Sequence, residues 1–177
     1  MTDDHSLTRL FTELVEHNFN RHLELRDEDV TDYVAALLLD FTRTDQVYKI
    51  RDARGRAIED VGEMLVESNP LMDAPGFERE REVRKHVGDF TLFFSGMFPE
   101  SIRNWRLRRL RAGSFVDYIR AGKESYHVVA AFNQFEYHKV APLFHKLSDS
   151  FEECVYGLNL VRRQLDSSGR PLESLIH

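Results

Sequence analysis

The chain has 177 residues, 42% hydrophobic and 31% charged, with a formal net charge of −6 and a single cysteine, Cys154. That is one domain's length of chain, able to bury roughly 70% of its unfolded surface without disulfides or metals. The composition argues against disorder, a chain-wide nucleic-acid footprint, an intramolecular disulfide and a zinc ribbon; no apolar run approaches the ~18 residues of a membrane span, and MTDDHSLTRLF has neither the basic nor the apolar region of a signal peptide, which points to a reducing cytoplasm.

Helical spacing begins at once. Leu7, Leu10, Phe11, Leu14 and Val15 share one face, predicting a helix over about 6–20 with Ser6 as its N-cap. A second helix is expected to open at Asp27, with Glu28 and Asp29 in its first turn complementing the helix dipole. Its apolar face is Val30, Tyr33, Val34, Leu37, Leu38 and Phe41. The next stretch, VYKIRDARGRAI, reads either as a hairpin turning at Arg54-Gly55 or as the end of that helix with Gly55 after its last turn. The rhythm of Leu38, Phe41, Asp45 and Tyr48 favours continuation.

A third helix covers about 57–67, with Ile58, Val61 and Leu65 inward, and SNPLMDAPG follows as a loop. The fourth helix starts near Phe77 and ends at Phe98-Pro99. Its first turns, EREREVRK, read as a solvated face with Glu80 and Arg84 spaced as an i,i+4 pair. Beyond them lies GDFTLFFSGMFPE, apolar nearly all round, which is the mark of a buried central helix. Gly88, Thr91, Leu92, Ser95 and Gly96 fall on one side and His86, Phe90, Phe93 and Met97 on the other. A helical glycine costs up to ~1 kcal/mol against alanine, so two of them imply a close neighbour, either another helix or a small apolar ligand. Asp89, the one charge in the buried turns, calls for a cationic partner such as Lys85 or an Arg from another helix.

A short helix or turn over about 101–111 follows, then a sixth helix over about 115–138, with Ser114 and Asp117 resembling a capping box. Pro142 starts a seventh that reaches about Leu165. In it Phe144, Leu147, Phe151, Cys154, Leu158, Val161 and Leu165 step alternately by three and four, a heptad seam. Cys154 lies in that seam and reads as a small buried hydrophobe. The pattern as a whole predicts an all-α, single-domain bundle of about six or seven helices spanning 1–177, with 1–5 and 167–177 as frayed tails.

Chemistry is harder to locate. Glu124 and His127 form a Glu-x-x-His pair, a spacing that puts both groups on one helix face as in carboxylate-bridged metal bundles, and His86 could complete a mononuclear metal site. Such bundles use two pairs and this chain has one, so a structural pair is the plainer account. A haem ligand among His86, His127, His138 and His145 is the same idea with another cofactor. RNWRLRRLRAG gathers Arg103, Arg106, Arg108, Arg109 and Arg111, a cluster that pairs with acids of the same chain or grips phosphate, a membrane surface or, above these, an acidic protein surface. No Gly-rich phosphate loop, HExxH or Rossmann fingerprint is present.

Three blocks, HVGDFTLFFSGMFPE, YIRAGKESYHVV and PLFHKLSDSFEECVYGLNLVRRQL, resemble a group of bacterial helical proteins of unknown function. The resemblance implies a bacterial cytoplasmic setting and carries no activity, cofactor or residue role. With packing patterns strong and no reactive constellation, the expected function is a non-enzymatic interaction or regulatory module that associates with itself. The alternatives are a metal- or haem-binding helical protein and a binder of a small apolar ligand.

Overall fold

The computed structural model describes residues 2–69, 76–104 and 117–177, and every named element among them is helical. Helix α1 spans Thr2–His22, so Ser6 lies inside it and does not cap it. Helix α2, Glu28–Asp40, starts where Asp27 predicts: the Asp27 carboxylate accepts the backbone N–H groups of Asp29 and Val30.

α2 does not run on to Tyr48. Thr42 donates its hydroxyl to the Leu39 carbonyl at 2.6 Å, the local bond by which threonine competes with helix propagation. A single turn, α3 (Thr44–Val47), follows, and then Arg51 and Ala57 form an antiparallel bridge around Gly55 at φ 79°. The hairpin is therefore the correct alternative. Asp52 holds its turn by accepting from the backbone of Arg54 and Arg56, and Gly55 supplies the left-handed residue. Ile50 and Ile58 point from it into the core. Asp60 then caps α4, Val61–Glu67, which is shorter than the sequence suggests.

Helix α5, Phe77–Met97, is the centre of the molecule, and each residue from 86 to 97 is buried. α6 (Tyr118–Ala131) lies along one side of it and α8 (Phe151–Ser167) along another, while α1 packs on α2 and α8, and α7 (Ala141–Asp149) packs on α6. The cap of α6 is Asp117, accepting from Arg120 N; Ser114 lies outside the described residues. α6 ends at Ala131, well before His138, and a 3₁₀ turn at Phe135–Tyr137 leads to α7.

The predicted seventh helix is two helices, broken at Ser150. Ser148 gives its hydroxyl to the Lys123 carbonyl and Ser150 gives its own to that of Lys146, each at 2.8 Å, so the Ser-Asp-Ser run bends the rod. The heptad seam survives the bend: all seven positions are at most 3% exposed. α7 turns its part toward α6 and α2, and α8 turns its part toward α5 and α1.

The small residues of α5 make room for side chains. A Cβ on Gly88 would stand 2.4 Å from the Tyr126 ring of α6, and one on Gly96 would stand 2.5 Å from Leu158 of α8. Residues 167–177 do not fray as the sequence suggests. Leu172 is fully buried, and His177 exchanges backbone hydrogen bonds with Thr42 and Thr44 at 2.8 and 3.0 Å. Arg162 secures this tail through Glu173, and also binds Glu100 and Asp166.

Candidate functional site

Among the described residues charge enters the core once, at Asp89, which is 4% exposed. Its Oδ1 accepts the hydroxyls of Tyr33 (2.6 Å) and Tyr126 (2.7 Å), and its Oδ2 accepts Lys85 Nζ at 3.1 Å. Of the two cations the sequence proposes, Lys85 or an Arg from another helix, the partner is Lys85; the two tyrosines come from α2 and α6 and were invisible to it. Burial, reinforced by the Asp89 charge, raises both phenols well above the ordinary tyrosine range, so they stay protonated donors. The carboxylate is thus fully employed by three helices, and Tyr126 fills the space over Gly88 that an apolar ligand would need.

The three residues considered for a metal go to different partners. His86 is fully buried, and its Nε2–H donates to the Val47 carbonyl at 2.9 Å, leaving a buried Nδ1 with no partner. Burial lowers its pKa to about 4. Glu124 is exposed and held by Arg120 at 2.9 Å. His127 is exposed and faces His145, with ring centroids 6.5 Å apart; His138 shares the same shallow groove. Among the described residues no group of three or more His, Cys, Asp or Glu is placed to hold a metal ion. Of the arginine cluster, Arg103 is exposed on the helical stretch 99–104, while Arg106, Arg108, Arg109 and Arg111 lie outside the described residues. Cys154 is buried and its thiol is pushed up to about 12, which suits a packing residue.

The feature sequence reasoning missed is on the surface between α6 and α7. Phe135 is 92% exposed, and it is the one non-glycine among the described residues with a positive φ, 53°. Beside it Phe77, at the start of α5, is 71% exposed. The two rings flank a groove of about 310 Å³ floored by Ala131, Phe132 and Tyr137. Beneath, the Arg81 guanidinium stacks on Tyr137 at 4.1 Å and reaches Phe144 at 5.7 Å. The only cue in the sequence was two phenylalanines within the polar run FNQFEYHK, and assigning that run to a helix hid it.

No family model, curated protein or solved structure matches the chain. Among the described residues no helix is long and apolar enough to cross a membrane.

Proposed function

We propose that this chain is a non-enzymatic helical interaction module that pairs with a second copy of itself through the face bearing Phe77 and Phe135. Phe135 carries the proposal. A left-handed conformation costs a non-glycine residue about 1–2 kcal/mol, and exposing a phenyl ring forgoes about 2 kcal/mol more, with nothing among the described residues to offset either. A partner surface offsets both.

A second copy fits because knob and socket sit side by side. A two-fold axis next to Phe135 lets each copy's ring enter the other's 310 Å³ groove, so one patch serves both partners. The buried polar network, meanwhile, is engaged with itself, which suits a scaffold more than a reaction centre. A bacterial cytoplasm is the setting we infer, in keeping with a lone, buried thiol.

Sedimentation velocity across a concentration series tests the pairing. Wild type is expected to pass from monomer to dimer, and Phe135→Asn, which suits the left-handed backbone but lacks the ring, is expected to stay monomeric with unchanged circular dichroism. A wild-type protein that remains monomeric up to about millimolar concentration, the weak limit for a specific contact, refutes it.

A further inference from the structure

Four arginines among the described residues are half-buried: Arg79, Arg81, Arg84 and Arg162. A charge drawn out of water needs a compensating group. Arg162 has Glu100, Asp166 and Glu173, and Arg79 has Glu67 and Glu82. Arg81 has the rings of Tyr137 and Phe144. Among the described residues Arg84 has neither carboxylate nor ring beside it. Its Nη1 meets only the neutral hydroxyl of Ser125, at 3.3 Å, and its Nε is buried with no partner. The expected bond to Glu80, one turn back, is not made.

Arg84 borders a surface groove of about 430 Å³ that it shares with Lys123, Glu124, His127 and Ser148. The other charges there are already matched: Lys123 with Glu152 at 2.9 Å, and Glu124 with Arg120 at 2.9 Å. Ser148 spends its proton on the Lys123 carbonyl. Arg84 is left as the uncompensated charge, with Lys123 and His127 as nearby N–H donors.

We propose that this groove binds an oxyanion of phosphate chemistry, either free phosphate or a phosphomonoester, seated on Arg84. The guanidinium fork takes two oxygens, and Lys123 and His127 supply donors from α6 to a third. A carboxylate, with two oxygens in a plane, uses the fork but leaves the α6 donors idle. Glu124 stands in the groove as the group that weakens the site. This inference is independent of the self-pairing face, which lies around Phe135.

The test is a titration with inorganic phosphate, with glycerol phosphate as phosphomonoester and acetate in parallel arms, at constant ionic strength kept by sodium chloride. Binding is followed by amide and imidazole NMR shifts of Lys123 and His127. Phosphate or the phosphomonoester is expected to saturate these shifts, and acetate to bind at least about threefold more weakly, half a power of ten being less than one good hydrogen bond. Comparing the two phosphate arms tells free phosphate from a phosphomonoester. Arg84→Met should weaken phosphate at least about tenfold, and Glu124→Gln should tighten it about two- to threefold. The opposite signs guard against misreading a folding defect, because a loss of structure cannot strengthen binding in Glu124→Gln. Shifts that fail to saturate with either phosphate, acetate binding as tightly as phosphate, or an Arg84→Met protein that binds like wild type overturns the proposal.

Discussion

Gly88→Ala tests the packing at the centre of the molecule. Replacing a glycine inside a helix by alanine ordinarily stabilises by up to ~1 kcal/mol. Here the new Cβ stands 2.4 Å from Tyr126 Cε1 and 2.5 Å from Cδ1. Carbon atoms rest at about 3.5 Å or more, so the ring must retreat by about 1 Å. It has no free direction. Tyr126 is fully buried among Tyr33, Phe144 and Phe151, with centroids 6.4, 5.9 and 5.9 Å away, and its hydroxyl is fixed on Asp89. Overpacking costs about 1–3 kcal/mol and disturbing a hydrogen bond to a charge about 1.5–3, so after the propensity gain the net loss is about 1.5–5 kcal/mol. Urea unfolding followed by circular dichroism measures it. Adding Tyr126→Leu to make room should leave the double variant at least ~1 kcal/mol more stable than the sum of the two losses. A Gly88→Ala protein as stable as wild type, or more so, refutes the close approach of α6 to α5.

Three further outcomes follow from buried groups. His86 has a folded pKa of about 4 against 6.5 when exposed, so below pH 6.5 the unfolded chain takes up a proton that the native state refuses. Stability contributed by neutral His86 is full above pH 6.5 and is lost as pH falls toward 4, by about 2 kcal/mol at pH 5. Denaturation midpoints across that range should show it, and His86→Gln, which keeps a donor for Val47, should flatten the dependence. Asp89→Asn removes the charge that Lys85 faces and weakens both tyrosine bonds, costing about 2–4 kcal/mol in chemical unfolding; a change under 0.5 kcal/mol contradicts the network. Cys154 should resist a thiol reagent at pH 8 and react at once in guanidinium; prompt reaction of the native protein contradicts its burial.

Most of the rods were legible because their signals are local. Asp27 marks the start of α2, the apolar run 86–97 marks the buried helix, and all seven seam positions point inward. What failed depended on contacts distant in sequence or on competition between nearby bonds. Small residues at Gly88 and Gly96 announced a close neighbour, but periodicity has no means of naming Tyr126 or Leu158. Asp89 advertised a need for partners, yet Tyr33 is 56 residues away and Tyr126 is 37. The breaks at Thr42 and Ser150 turn on hydroxyl bonds to the preceding turn, which barely disturb an apolar rhythm. EREREVRK looked solvated because charge was counted without depth; Arg81 and Arg84 are half-buried against α6 and α7.

The Asp89 carboxylate also bears on how the molecule opens. Its bonds come from Tyr33 of α2, Tyr126 of α6 and Lys85 of α5 itself, so detaching α2 or α6 takes a hydroxyl donor from a carboxylate that the remaining helices still bury. Fraying by single rods is thereby penalised, and these segments are bound to part together. In heavy water, the slowest amide protons of α2, α5 and α6 should exchange with one common free energy, and Tyr126→Phe should lower it for all three at once.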